Sequence, residues 1–126
     1  MLYGIDFAIP ANTTQAIPLR QKFILTEGII TRFIVFLPWG CGGLCGLRVL
    51  RNEQQLFPIS HSTWIIGNDS LYEFADDFSL DTEPYTLMLE GYNLDDTYQH
   101  TLEVKAIMTR KVLPQKVVDL FAWLAK

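Results

Sequence analysis

The stretch YQHTLEVKAIMTR, residues 98–110, decides the fold class. Apolar side chains occupy alternate positions from Leu102 to Met108, and Thr101, Glu103 and Lys105 fall between them. His100 lies in phase with the apolar set. This period of two predicts a strand with one buried face and one mostly wet face, as in an antiparallel sheet.

Other segments carry the same kind of signal. They are rich in β-branched and aromatic residues or alternate in polarity, and they read LYGIDFAI, KFILT, GIITRFIVFLP, GLCGLRVLRN, QQLFPI, SLYEFA and PYTLMLEGYN. Residues 28–38 are predicted to be buried on both faces because they are almost continuously apolar. Residues 85–93 are predicted to form a hairpin with the strand that begins near Tyr98, because the link NLDDT is short and polar.

The C-terminal segment LPQKVVDLFAWLAK has a different period. Val117, Leu120, Phe121 and Leu124 fall on one helical stripe, which predicts a short amphipathic helix. The chain is therefore predicted to be all-β, an antiparallel β-sandwich or jelly-roll-like domain of about seven or eight strands. Residues 1–20 would form an N-terminal arm or edge segment, residues 21–112 the sandwich, and residues 113–126 the helix.

Both ends of the chain are candidates for contact with another subunit. The N-terminal region carries two prolines around a polar middle, which favours extended chain, and a short helix needs a surface for its apolar face. The predicted interface residues are Leu2, Tyr3, Ile9, Pro10, Ile17, Pro18, Val117, Phe121 and Leu124.

Composition narrows the class of partner. The 126 residues suffice for one domain, and 49% are hydrophobic while only 19% are charged. A net charge of −4 disfavours nucleic acid as a partner. The amino terminus lacks the pattern of a signal peptide and the longest apolar run, FIVFLPW, is too short to span a membrane. We therefore expect a protein that folds in the cytoplasm with reduced thiols and has no membrane partner.

The segment LPWGCGGLCG raises the question of a metal site, because Cys41 and Cys45 are close in sequence. A zinc site usually needs four ligands, and only His61 and His100 could complete one. The favoured interpretation is a tight connection in which glycines adopt positive φ and cysteines pack as small apolar residues. The sequence thus predicts no metal and no cofactor.

Catalytic groupings are equally weak. Ser60, His61, Cys41 and Asp69 can be combined into triads on paper, but no nucleophile elbow is present. The acidic stretch FADDFSLDTE allows a loose calcium loop without the spacing of an EF-hand. We therefore predict no catalytic residues and no enzymatic activity.

The order of motifs in residues 28–104 resembles a known group. A strand ending in FLPWGCGGL is followed by GLRVL, LFPIS, TWIIGNDS and EPYTLMLEGYNLDDTYQHTLEV. This is similar to the short all-β head decoration, or cement, proteins of tailed phages. The resemblance implies a virion protein, made in the host cytoplasm, that sits on the outside of the capsid as a homotrimer. It would bridge major capsid protein subunits and stabilise the lattice.

Two other functions remain open from the sequence. A carbohydrate-binding sandwich used in host attachment would present coplanar exposed aromatic side chains, such as Trp64 and Tyr92. A small hydrolase is the third interpretation, and it would depend on His61, His100 and the two cysteines.

Overall fold

The computed structural model describes residues 1–58 and 63–110, and every regular element in these two ranges is a β-strand. The ten strands are β1 (Leu2–Ile9), β2 (Leu19–Ile24), β3 (Gly28–Leu37), β4 (Cys45–Arg51), β5 (Gln54–Phe57), β6 (Ile65–Ile66), β7 (Ser70–Phe74), β8 (Phe78–Leu80), β9 (Thr86–Asn93) and β10 (His100–Thr109). The all-β prediction is confirmed. The predicted C-terminal helix lies outside the described residues.

The strands form two antiparallel sheets of five strands each. The first sheet has the order β1-β10-β3, and both β7 and β8 pair with the free side of β3. The second sheet has the order β2-β9-β4, and both β5 and β6 pair with the free side of β4. The expected number of strands was too low because β6 and β8, of two and three residues, are too short to give a periodic signal.

The pairing is nested along the chain. The first strand pairs with the last, β2 with β9, β3 with β8 and β7, and β4 with β5 and β6. The chain thus forms one long antiparallel ladder that is folded over. Two further pairings, of β10 with β3 and of β9 with β4, complete the two sheets.

The predicted hairpin between residues 85–93 and the strand near Tyr98 is wrong. Strand β9 belongs to the second sheet and β10 to the first, so the short link 94–99 crosses between sheets. Alternation of polarity fixes which face of a strand is buried, but it carries no information about which strand lies beside it.

The prediction that residues 28–38 are buried on both faces is also wrong. Phe33 and Val35 are fully buried, whereas Ile34 and Phe36 point to the other face and are partly exposed. In the part of the chain that the structure describes, only the inner face of β3 has a second sheet in front of it. A continuous run of apolar residues in a strand therefore does not prove burial on both faces, because the outer face can be apolar and still partly exposed.

The two sheets pack face to face around one hydrophobic core, so the architecture is sandwich-like. Phe33 of the first sheet stacks on Phe57 of the second with ring centroids 4.7 Å apart, and it meets Phe23 edge-on at 6.4 Å. Aromatic pairs in these geometries add to the stabilisation that comes from buried area alone.

Residues 1–20, predicted as an arm or an edge segment, contain the edge strand β1 and the connection to β2. Ile9 was predicted to contact another subunit, and this is wrong because its side chain is fully buried in the core of the same chain. No helix in the described ranges is long and apolar enough to cross a membrane.

The inward face of β10 generates the first testable prediction. Leu102 is fully buried, so Leu102→Ala should lower the free energy of unfolding by about 2–5 kcal/mol through lost burial and the cavity left behind. The neighbouring Thr101 is exposed, and Thr101→Ala should change stability by less than about 1 kcal/mol. Urea unfolding of both variants measures the difference, and equal effects would mean that the faces of β10 are reversed.

Candidate functional site

The strand registers bring four connecting segments to one end of the sandwich. Ile9 at the end of β1 pairs with His100 at the start of β10, and Cys45 at the start of β4 pairs with Asn93 at the end of β9. We call this region the loop end. It consists of residues 10–18, 38–44, 67–69 and 94–99.

The buried side chain of Asn93 holds this end together. Its amide nitrogen donates to the carbonyl of Ile9 at 3.0 Å and to the carbonyl of Tyr98 at 2.9 Å. Its side-chain oxygen accepts from the backbone N–H of Asp95 at 3.0 Å and from the thiol of Cys45 at 3.4 Å. Asn93 is fully buried and every one of these bonds is internal. One amide therefore ties both sheets and the crossing segment 94–99.

The glycine-rich connection has the geometry that the sequence predicted. Gly40, Gly42 and Gly43 have φ values of 105°, 57° and 77°. Residues other than glycine adopt such positive φ values only at an energetic cost. The turn closes through the N–H of Leu44, which donates to the carbonyl of Cys41 at 2.8 Å. The prediction of a tight turn with positive φ is confirmed.

Asn68 fastens this turn to the neighbouring loop. Its side-chain oxygen accepts from the N–H groups of both Gly40 and Gly42, each at 2.9 Å. On the other side, the N–H of Leu94 donates to the carbonyl of Leu44 at 2.9 Å. The turn is therefore bonded to two other segments of the loop end.

The inner side of the turn brings two neighbouring cysteines together with a histidine that is distant in sequence. Sγ of Cys41, Sγ of Cys45 and a ring nitrogen of His100 all lie within 4.8 Å of one another. His61, the other histidine considered for this group, lies outside the described residues. Among the residues that the structure describes, no other three histidine, cysteine or acidic side chains come together in this way, including those of FADDFSLDTE.

His100 lies on the apolar face of its strand, as predicted, and it has a polar partner there. Its Nε2 lies 2.8 Å from Oδ2 of Asp95, and only 10% of the His100 side chain is exposed. Oδ1 of Asp95 accepts from the N–H groups of Thr97 at 2.9 Å and Tyr98 at 3.3 Å. The imidazole is therefore held in one orientation beside the two sulfur atoms.

The environment of the thiols disfavours nucleophilic catalysis. Burial raises the pKa of Cys45 to about 12, with a further increase from its hydrogen bond to Cys41, and burial also raises the pKa of Cys41. Both side chains are fully buried. A cysteine nucleophile needs an accessible thiolate, so these thiols lack both requirements.

The remaining residues considered for catalysis do not join this cluster in the described structure. Ser60 and His61 lie outside the described residues. Asp69 is exposed and has a positive φ of 49°, as expected for a residue in a tight turn.

Function cannot be transferred from relatives. No protein-family model, curated protein or solved structure matches this chain.

The outer surface of the loop end is unusually apolar. Its exposed large hydrophobic side chains are Ile17, Trp39, Leu44, Leu94 and Tyr98. Trp39 is 80% exposed and Tyr98 is 68% exposed. Neither residue is among the predicted interface residues, although the small neighbours of Trp39 in PWGCGG offer it little to pack against nearby in the chain.

The residues predicted to form an interface are scattered. Ile17 and Pro10 are exposed at the loop end and Pro18 is half-buried there. Leu2 is exposed and Tyr3 is half-buried at the opposite end of β1. The other three, Val117, Phe121 and Leu124, lie outside the described residues.

Trp64 and Tyr92 do not form the coplanar platform that the carbohydrate hypothesis predicted. Their rings are nearly perpendicular, at 86°, and Tyr92 is only 1% exposed. Trp64 instead packs beneath Arg48, whose guanidinium carbon lies 4.3 Å from the ring centroid, and Arg48 forms an ion pair with the buried Glu90 at 3.0 Å. This group is engaged in internal contacts.

The bonds of Asn93 predict a large effect on stability. Asn93→Ala should lower the free energy of unfolding by about 2–4 kcal/mol, because it removes the partner of the buried carbonyl of Ile9 and of the partly buried backbone groups of Tyr98 and Asp95. The control is Asn68→Ala, which also removes two hydrogen bonds, but at an exposed position where water replaces them. Chemical denaturation that finds equal losses for both would contradict the central role of Asn93.

Asp95 predicts how stability depends on pH. The N–H of Thr97 and the bond to His100 lower its pKa below the ordinary value of 3.8. Because the folded pKa is the lower one, the unfolded chain takes up the proton first as the pH falls. The contribution of Asp95 is therefore complete above about pH 4 and is lost as the pH falls through the folded pKa.

This dependence can be tested by denaturation at several pH values between about pH 6 and about pH 2, the range in which carboxyl groups titrate. Asp95→Asn should reduce the loss of stability on acidification. Asp96→Asn should leave that loss close to wild type, because among the described residues the exposed Asp96 carboxylate accepts only from the hydroxyl of Thr97. Parallel curves for wild type and Asp95→Asn would refute the assignment.

Proposed function

We propose that this chain is a non-enzymatic structural protein of a virion. In this proposal it binds the outside of a tailed-phage capsid lattice and stabilises the lattice by bridging major capsid protein subunits. The support comes from the strand order, from the surface of the loop end and from the resemblance to head decoration proteins.

The nested strand pairing supports a jelly roll as the finer description of the sandwich. Counting β5 with β6 as one interrupted strand and β7 with β8 as another gives eight strands. Their sheet orders are then 1-8-3-6 and 2-7-4-5, which is what a single long ladder rolled into two Greek keys produces. Viral capsid domains and lectins both use jelly rolls, so the fold is compatible with either function and does not distinguish between them.

The observation that carries the proposal is the exposed apolar surface of the loop end. Trp39 and Tyr98 protrude from segments whose backbones are bonded to neighbouring loops. Large apolar side chains that are exposed but held on ordered backbone are typical of binding surfaces, because little conformational freedom is lost when a partner covers them. Tryptophan and tyrosine are also the residues that contribute most often to binding energy at interfaces.

A role in a lattice requires only a small contact from each copy of the chain. A protein that bridges repeated subunits gains affinity from several linked contacts, each of which can be weak. We propose a homotrimer that contacts the major capsid protein through the loop end. The predicted stripe Val117, Phe121 and Leu124 remains a proposed second contact, with another subunit. The protein would be made in the host cytoplasm and reside on the capsid surface.

A carbohydrate-binding module used in host attachment is the second candidate. The observation in its favour is the same exposure of Trp39 and Tyr98, since aromatic rings on loops can stack on sugar rings. The two candidates differ in the partner that covers the loop end. A binding experiment with capsids and glycans in parallel therefore separates them.

Binding to capsids tests the proposal. Purified protein should co-sediment with empty expanded capsids assembled from the major capsid protein of the same structural gene cluster, and it should raise their melting temperature. Trp39→Ala should weaken this binding about tenfold or more, because an exposed tryptophan at the centre of a contact is typical of an energetic hot spot.

The matched control is Ile24→Ala. Ile24 is similarly exposed, but it pairs with Thr86 at the opposite end of the second sheet, so its replacement should leave capsid affinity unchanged. If the wild-type protein does not bind capsids, the proposal is wrong. Binding to a glycan array that depends on Trp39 would then support the carbohydrate alternative.

A further inference from the structure

The buried cluster beneath the loop end has the composition of a metal site, and the distances between its donor atoms come within about 1 Å of those in a loaded site. The three donor atoms of Cys41, Cys45 and His100 lie within 4.8 Å of one another. Tetrahedral zinc, with bonds of about 2.3 Å to sulfur and about 2.0 Å to nitrogen, places its ligand atoms roughly 3.5–3.8 Å apart. A contraction of about 1 Å therefore converts this cluster into a coordination shell. We propose that Cys41, Cys45 and His100 bind one zinc ion.

The surroundings of His100 are those of a metal-ligating imidazole. Zinc-bound histidines usually donate their second ring N–H to a carboxylate, which fixes the orientation of the ring and makes the ligating nitrogen more basic. Here Nε2 of His100 is 2.8 Å from Oδ2 of Asp95. Nδ1 is then the nitrogen that binds the ion, and Nε2–H donates to Asp95.

Asp95 is itself held in place, so this support is rigid. Its other carboxylate oxygen accepts from the N–H groups of Thr97 and Tyr98, and its own N–H donates to Asn93. The side-chain oxygen of Asn93 also accepts from the thiol of Cys45. Asp95 is thus a positioning residue for the imidazole ligand, whereas the bond from Cys45 to Asn93 is lost when the thiol gives up its proton to bind zinc.

The donor set selects the class of metal. Two thiolates and one imidazole are soft to borderline ligands, which favour zinc and disfavour magnesium and calcium. The two thiolates also cancel the charge of a divalent ion, so the loaded centre is neutral. A neutral centre suits a site whose two cysteines have no contact with solvent.

Binding follows a balanced exchange of protons. Each thiol loses one proton to solvent as its sulfur bonds to zinc, so two protons are released for each ion bound. Because protons are released, zinc affinity should fall as the pH falls. The three protein ligands leave a fourth position, which we assign to a solvent molecule.

The site would cross-link segments that are distant in sequence. The two cysteines flank the turn that carries Leu44 and follows Trp39, whereas His100 begins β10 in the first sheet. Zinc would therefore brace the exposed surface from inside. The inference concerns metal binding alone, so it stands whether or not the chain binds capsids.

Metal binding can be measured directly on the full chain. The protein is purified under reducing conditions, stripped with a chelator, and titrated with ZnCl2 in competition with a chromophoric chelator. We expect one zinc per chain and a higher melting temperature, since a ligand that binds only the folded state stabilises it. Titration with Co²⁺ should give a thiolate-to-cobalt charge-transfer band, which reports cysteine ligation without any substitution.

Variants separate the ligands from the positioning residue. Cys45→Ser and His100→Gln should lose stoichiometric zinc binding, and Asp95→Asn should weaken binding about 10–100-fold through the orientation of His100. Asp96→Asn makes the same change of charge in the same loop, but Asp96 does not contact His100, so this variant should bind like wild type. Far-UV circular dichroism of each metal-free variant checks that it is folded.

Three results would overturn the proposal. The first is a folded, reduced wild-type chain that binds less than a stoichiometric amount of zinc. The second is a Co²⁺ spectrum without the thiolate band. The third is zinc affinity that Cys45→Ser leaves unchanged. The capsid assay is a separate measurement, so failure of one proposal can be told from failure of the other.

Discussion

The loop end depends on one buried amide. Asn93 uses both donors and its acceptor on partners from β1, β4 and the crossing segment, and its backbone pairs in addition with Thr13 of the connection that follows β1. A buried polar group is costly unless it is satisfied, and a satisfied one permits few alternative arrangements. Hydrophobic packing holds the sheets together, but it is not directional. The amide determines how the connecting segments are arranged where the two sheets meet.

Local patterns predicted the strands well and their neighbours poorly. The alternation in residues 98–110 identified the buried face of β10, and LYGIDFAI matched β1 residue for residue. The hairpin predicted between β9 and β10 is wrong because a six-residue link can either turn back within one sheet or cross to the other sheet. The local pattern is the same in both cases, since each strand is antiparallel to its true neighbours. Pairing depends on contacts distant in sequence, such as Leu2 with Ile107, that no short window contains.

In the candidate site, too, local backbone features were predicted from the sequence and contacts between distant residues were not. The glycines of PWGCGG indicated positive φ, and the structure has it at Gly40, Gly42 and Gly43. The approach of His100 to the cysteines was not predictable, because it follows from the pairing of β4 with β9 and of β1 with β10. One local signal was available. A histidine in phase with a buried face needs a polar partner, and Asp95 lies one short turn before it in the chain.

The exposed side chains of the loop end depend on the buried contacts beneath them. Trp39 and Leu44 can remain exposed only if the backbone that carries them does not collapse onto the core, and glycines by themselves would allow that collapse. The hydrogen bonds from Gly40 and Gly42 to Asn68 prevent it on one side, and the bond between Leu94 and Leu44 prevents it on the other. The thiol and imidazole groups lie beneath the turn. An ion bound there, as we propose, would act on the same segment from the third side.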